Sequence, residues 1–136
     1  MKYSDIEDAF LFVSAAPLFE HEAYLNKETG KAYYVSALGD SDELPDDLED
    51  NDKYVSVPHK NDLNLGRDLV FDFVSADLPS ELGQVRGFFN RAGAYARFKD
   101  LLESKDLLEA WYQFEQKATE TALREWCKEN NIRLEG

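Results

Sequence analysis

Ile6, Ala9, Phe10 and Val13 recur at three- and four-residue intervals near the start of the chain. That spacing predicts an amphipathic helix with one buried stripe, ended at Pro17, which cannot extend a helical hydrogen-bond ladder. Ahead of the stripe, Ser4-Asp5-Ile6-Glu7 has the spacing of a capping box, with the Ser4 hydroxyl set for the Glu7 amide and the Glu7 carboxylate reaching back. The period then changes. Residues 22–25 and 31–36 are short and rich in Tyr and Val, and they flank NKETG, whose Gly30 suits a left-handed loop position. A β-hairpin is expected there, with YVSV at residues 54–57 as a third strand closed by Pro58.

After Asn61 and Asn64 the pattern becomes helical and stays so. Leu65, Leu69, Phe73 and Ala76 share one face. Pro79-Ser80-Glu81 opens a further helix, Ser80 as its cap and Glu81 at the positive end of its dipole, and Leu82, Val85, Phe88 and Phe89 form its stripe. Gly93 is expected to break it, giving a helix–turn–helix corner before Phe98, Leu101 and Leu102. A long helix over residues 107–129 follows, with Leu108, Trp111, Phe114 or Glu115, Ala118, Ala122 and Trp126 facing inward. Asn130 and Asn131 end it, and residues 132–134 are expected to add an edge strand. Strands early and helices late predict an α+β fold, a short antiparallel sheet (hairpin plus third strand) packed against a helical C-terminal half. At 136 residues the expectation is a single domain over residues 1–136, with a solvated acidic loop at about 39–52.

Charge sharpens this picture. The chain has 28 acids against 15 bases, a formal net charge of −13, which disfavours strong nonspecific binding to nucleic acid. No apolar run approaches the roughly 20 residues that span a bilayer, so no membrane association is expected. The start, MKYSDIEDAF, suits neither a secretory signal nor a transit peptide, and Cys127, the single cysteine, fits a reducing compartment; a cytoplasmic protein is expected. Residues 39–52 (GDSDELPDDLEDND) hold eight acids and no base. Residues 84–99 (QVRGFFNRAGAYARFK) are the reverse, with Arg86, Arg91, Arg97 and Lys99 and no acid, among Phe88, Phe89, Tyr95 and Phe98.

YLNKETGKAYYVS, YVSVP, GAYARFKDLL and LLEAWYQFEQKA, in that order and closed by NNI, resemble an uncharacterised bacterial protein family, the one numbered 158 among families of unknown function. The likeness runs from about Tyr24 onward. Its most specific pieces are Arg97-Phe98-Lys99 and Trp111-Tyr112-x-Phe114, and the acidic stretch and first helix match less well. The resemblance implies a small bacterial α+β protein. It carries over no catalytic residue, because no activity is assigned to the family.

Most site chemistries lack their residues. One cysteine and the two separated histidines, His21 and His59, do not make a zinc set, and an EF-hand loop begun at Asp40 would have Pro45 and Asn51 where Gly and Glu are needed. No metal or cofactor is therefore expected. Cys127 lies near a helix C-terminus, where the dipole opposes a thiolate despite Lys128, and reads as a half-buried helix residue. There is no G-x-S-x-G elbow and no phosphate-cradling glycine loop. His59, after Pro58 and beside Lys60, is expected at the exposed end of a strand, where it could pair with His21 and a lysine such as Lys60 or Lys99.

For the bases of residues 84–99, the first expectation is ion pairing with the abundant carboxylates, the second a recognition face for an acidic or phosphate-bearing partner, and the third a catalytic anion pocket. Their aromatic neighbours are mostly core by spacing, unlike the exposed platforms of single-strand binders. Trp111 continues the inner stripe, and Tyr112 is expected to reach the surface with its hydroxyl wet. Together these features favour a non-enzymatic binding or regulatory module that uses Arg86, Arg91, Arg97, Lys99, Tyr112 and His59. The alternative is an enzyme on a phosphate-containing substrate, built from His59 and the same bases. A third possibility is an acidic surface that mimics nucleic acid.

Overall fold

Asn26 sets the hairpin. Its Oδ1 accepts the amides of Glu28 (2.8 Å) and Thr29 (3.1 Å), and its carbonyl accepts the amide of Gly30 (2.8 Å). Gly30 takes φ +80, the left-handed conformation that glycine adopts without steric cost. The turn joins β1 (His21–Asn26) to β2 (Ala32–Ser36), and β1 also pairs with β3 (Tyr54–Ser56), giving an antiparallel sheet in the order β2-β1-β3. This is a computed structural model of the protein, and it describes residues 1–16, 20–36, 43–50 and 52–135. By its internal contacts the chain divides into two compact units, Met1–Leu63 with Glu120–Gly136, and Asn64–Thr119.

In the first unit, α1 (Tyr3–Ser14) buries Ile6, Ala9, Phe10 and Val13, the stripe that the spacing predicts, and packs on β1. Ala23 and Leu25 fill the sheet face toward it, and both are buried. The helix begins two residues before the expected cap. Lys2 is its N-cap, and the Asp5 carboxylate, in place of Glu7, accepts the Lys2 amide at 3.2 Å. The cause is an anchor at the chain start: Lys2 bridges to Glu135, and the Glu135 amide donates to the Met1 carbonyl at 2.8 Å. Residues 132–134 therefore form no strand, and Ile132 is instead buried. Pro17 and residues 39–42 and 51 of the acidic stretch lie outside the described residues. In its described part, the Asp47 carboxylate takes Lys53 Nζ (3.2 Å) and the Tyr54 hydroxyl (3.0 Å), contacts that hold its pKa below the usual carboxylate range.

The second unit is helical: α2 (Arg67–Asp77), α3 (Leu82–Phe88), α4 (Ala94–Ser104) and the first half of α5 (Leu108–Glu129). Its core is Leu69, Val70, Phe73, Val74, Val85, Phe98, Leu102 and Trp111. Ala76 is exposed, because the α2 stripe is widened by Val70 and Val74 rather than extended toward the C-terminus. Ser80 makes no cap: Pro79–Glu81 coils into a 3₁₀ turn, and the Glu81 carboxylate lies 3.7 Å from Lys105 Nζ. Asp106 (φ 57) closes α4 in a Schellman arrangement, with Leu107 N–H donating to the Leu102 carbonyl at 2.8 Å and Asp106 N–H to that of Glu103 at 3.2 Å. Asn131 (φ 59) closes α5 in the same way, through Ile132 to Cys127 and Asn131 to Lys128.

Along α5 the buried positions change face. Trp111 is buried in the first half, but Leu123 and Cys127 are buried in the second, where Ala122 and Trp126 are only half-buried. Leu123 lies about a third of a turn around the axis from Trp111. A single inward stripe from residue 108 to 126 is thus replaced by two, because the helix serves a different core in each half. The architecture is α+β, with helices filling the C-terminal half. No helix of the described residues is long and apolar enough to cross a membrane.

Candidate functional site

The basic, aromatic-rich segment folds as the expected corner. α3 ends at Phe88, and Gly93, at φ +79, precedes α4. All four bases are exposed. Among the described residues none of them forms an ion pair, although acids outnumber bases nearly two to one. The expected pairing with local carboxylates is therefore corrected. The bases rest on other partners. The Arg86 guanidinium stands 5.9 Å over the Phe71 ring, and Lys99 Nζ stands 5.6 Å over the Tyr112 ring. Arg97 Nη1 donates to the Ala92 carbonyl, folding this side chain against Gly93. The Arg91 side chain has no partner among the described residues.

These four do not converge. With Phe98 buried on α4, Arg97 and Lys99 fall on opposite flanks, about 200° apart around the helix. Lys99 shares its flank with Tyr95, one turn earlier, and that flank is lined with rings. Phe71 meets Phe89 edge-on at 5.6 Å, and Phe89 meets Tyr95 edge-on at 5.1 Å. Tyr95 is 36% exposed and Tyr112 is 41% exposed, so two of the aromatics reach the surface, Tyr112 as its spacing predicts. Burial, and then Glu115, push the Tyr95 phenol pKa up, while Arg67 pulls it down. Phe71 and Arg67 escape sequence reading, and Glu115 is read there only as a possible inward position of the long helix. The one available signal is Phe71, an aromatic at the margin of the α2 stripe.

His59 is buried, at 4% exposure, not at an exposed strand end. Its ring ties the chain to the end of α1. Nδ1 accepts the Asn61 amide at 3.0 Å, which leaves Nε2 as the donor to the Ala16 carbonyl at 2.8 Å, 43 positions earlier in the chain. Both ring nitrogens of this neutral tautomer are therefore occupied. His21 does come near: both histidines line a cavity of about 180 Å³ with Val13, Glu22, Tyr24 and Asp62. His21 Nδ1 donates to the Phe12 carbonyl at 2.9 Å, and its ring stacks on Phe12. The Tyr24 hydroxyl donates to Glu22 at 2.9 Å, and burial with that carboxylate raises its pKa. The lysines proposed beside these histidines divide: Lys60 belongs to the same unit and Lys99 to the other.

Cys127 is fully buried rather than half-buried, and burial pushes its thiol up to about 11. No group of three or more His, Cys, Asp or Glu among the described residues is placed to hold a metal ion. Comparison with curated proteins and with solved structures finds no match to this chain. A family model does match, over residues 5–135, taking in α1 as well as the segments from Tyr24 onward, and the chain belongs to the uncharacterised protein family UPF0158.

Proposed function

We propose that this protein is a non-enzymatic binding or regulatory module of the bacterial cytoplasm whose corner between α3 and α4 receives the anionic groups of a partner, carboxylate or phosphate. One observation carries the reading. In a chain of −13, one short segment, residues 84–99, carries four exposed bases with no carboxylate partner among the described residues. Bases kept for the fold would take the acids that surround them, whereas bases kept unpaired and braced on rings or a carbonyl remain available to a ligand. The cytoplasmic placement is supported by the lone free cysteine, and the bacterial source by the resemblance.

The enzymatic alternative has less support. The cavity shared by His21 and His59 also carries Glu22 and Asp62, which repel a phosphate, and the His59 ring nitrogens are occupied by the backbone. The test is capture from a bacterial lysate, with and without RNase, by the native protein and by a variant with Arg86, Arg91, Arg97 and Lys99 all changed to Gln. The reading expects capture to collapse while the melting temperature moves by no more than about two degrees, since exposed charges contribute little to stability. A folded variant with undiminished capture would sink it.

A further inference from the structure

In the second unit, cations and rings form one continuous strip. Arg86 stands over Phe71, Phe71 meets Phe89, and Phe89 meets Tyr95. Tyr95 and Lys99 lie one turn apart on α4, and Lys99 stands over Tyr112. Resting on the reading above, we infer that this strip docks a short segment of a partner protein in which carboxylates are interleaved with apolar side chains.

The arrangement of charge decides against a compact phosphate. Recognition of a single phosphate draws several donors onto one point, preferably planar guanidinium forks. Here Arg97 is turned to Ala92 on the far flank of α4, and Arg86 and Lys99 stand at the two ends of a line whose middle is aromatic. At that middle, the Glu115 carboxylate acts on the Tyr95 phenol more strongly than Arg67 does, so no cation dominates there. The centre of the strip is thus suited to an apolar side chain and its ends to carboxylates. Arg and Tyr are also among the residue types that dominate binding energy at protein interfaces, Tyr through ring area held with little loss of entropy. A bare phosphate would leave Tyr95 and Tyr112 unused. The net charge of −13 limits the partner as well, because a broad acidic surface would be repelled by most of the molecule, whereas a short segment engages the strip alone.

The test is selection of a displayed random-peptide library on the full-length protein, with inorganic pyrophosphate as the competing probe. The inference expects enrichment of peptides that alternate Asp or Glu with Leu, Phe or Tyr, whose amide-shift perturbations on the native protein cluster at Tyr95, Lys99 and Tyr112. Affinity should fall by about tenfold or more in Arg86→Gln/Lys99→Gln and also in Tyr112→Ser, whose side chain is too exposed to threaten folding. Arg97→Gln should change it little. If pyrophosphate binds at the corner and is lost with the bases but not with Tyr112, the docking inference fails while the anion-binding reading stands. If neither probe binds, or binding ignores the bases, both fall.

Discussion

His59 acts as a strut. Changing it to Ala removes the donor to the Ala16 carbonyl and the acceptor of the Asn61 amide. The Ala16 carbonyl, left part-buried without a partner, costs about 1–3 kcal/mol, whereas Asn61 is exposed and its amide can turn to water. Denaturant titration of His59→Ala should show a loss in that range or above it. A loss under about 0.5 kcal/mol would mean that the ring is not holding α1 to the sheet. Cys127 gives a second expectation at this scale. Its thiol, raised from 9.0 to about 11, should resist a maleimide at pH 8 in the native protein and react once denaturant is added, with mass spectrometry as the readout. Because the folded state holds this proton more tightly, the stability it contributes is fully present below pH 9. That contribution is lost as pH rises from 9 toward 11.

The corner between α3 and α4 depends on Gly93, and it shows what a sequence can and cannot convey about an element. A glycine between two helical stripes marks the corner, but α3 already ends at Phe88, and the φ of +79 at Gly93 sets where α4 starts. A Cβ there would meet Arg97 Nη1 at 3.6 Å, an ordinary contact, so Gly93→Ala should cost about 1–2 kcal/mol through backbone strain alone. Gly93→Asn should cost less, and paired thermal melts would check both. Periodicity also revealed the α1 stripe and the hairpin, since each depends on residues within a few positions of one another. It failed where distant chain intervenes. Lys2 replaces Ser4 as the cap because Glu135 anchors the start of the chain, and His59 is buried because a carbonyl 43 positions earlier needs a donor. The candidate site was half legible for the same reason. The bases could be read directly, but their division between two flanks of α4, and the Phe71 ring beneath Arg86, depend on packing.

For the whole molecule, electrostatics sets the first expectation. At −13, and with its few clustered bases spread along a strip, the protein should bind random DNA or RNA only weakly at physiological salt, since affinity for a polyanion grows with the number of phosphates neutralised. A gel-shift titration with unrelated sequences checks this, and submicromolar affinity would contradict it. The two tryptophans give a second use of the whole chain. Trp111 is enclosed by Phe73 (5.4 Å), Phe98 (5.0 Å) and Phe114 (6.2 Å) in the core of one compact unit, while Trp126 is half-buried in the other. Each unit therefore carries its own intrinsic fluorophore. Excited at the indole band, Trp126→Phe would report the emission of the helical unit alone and Trp111→Phe that of the sheet-bearing unit. The melting curves of the two variants, set side by side, would then reveal whether the halves unfold at the same temperature.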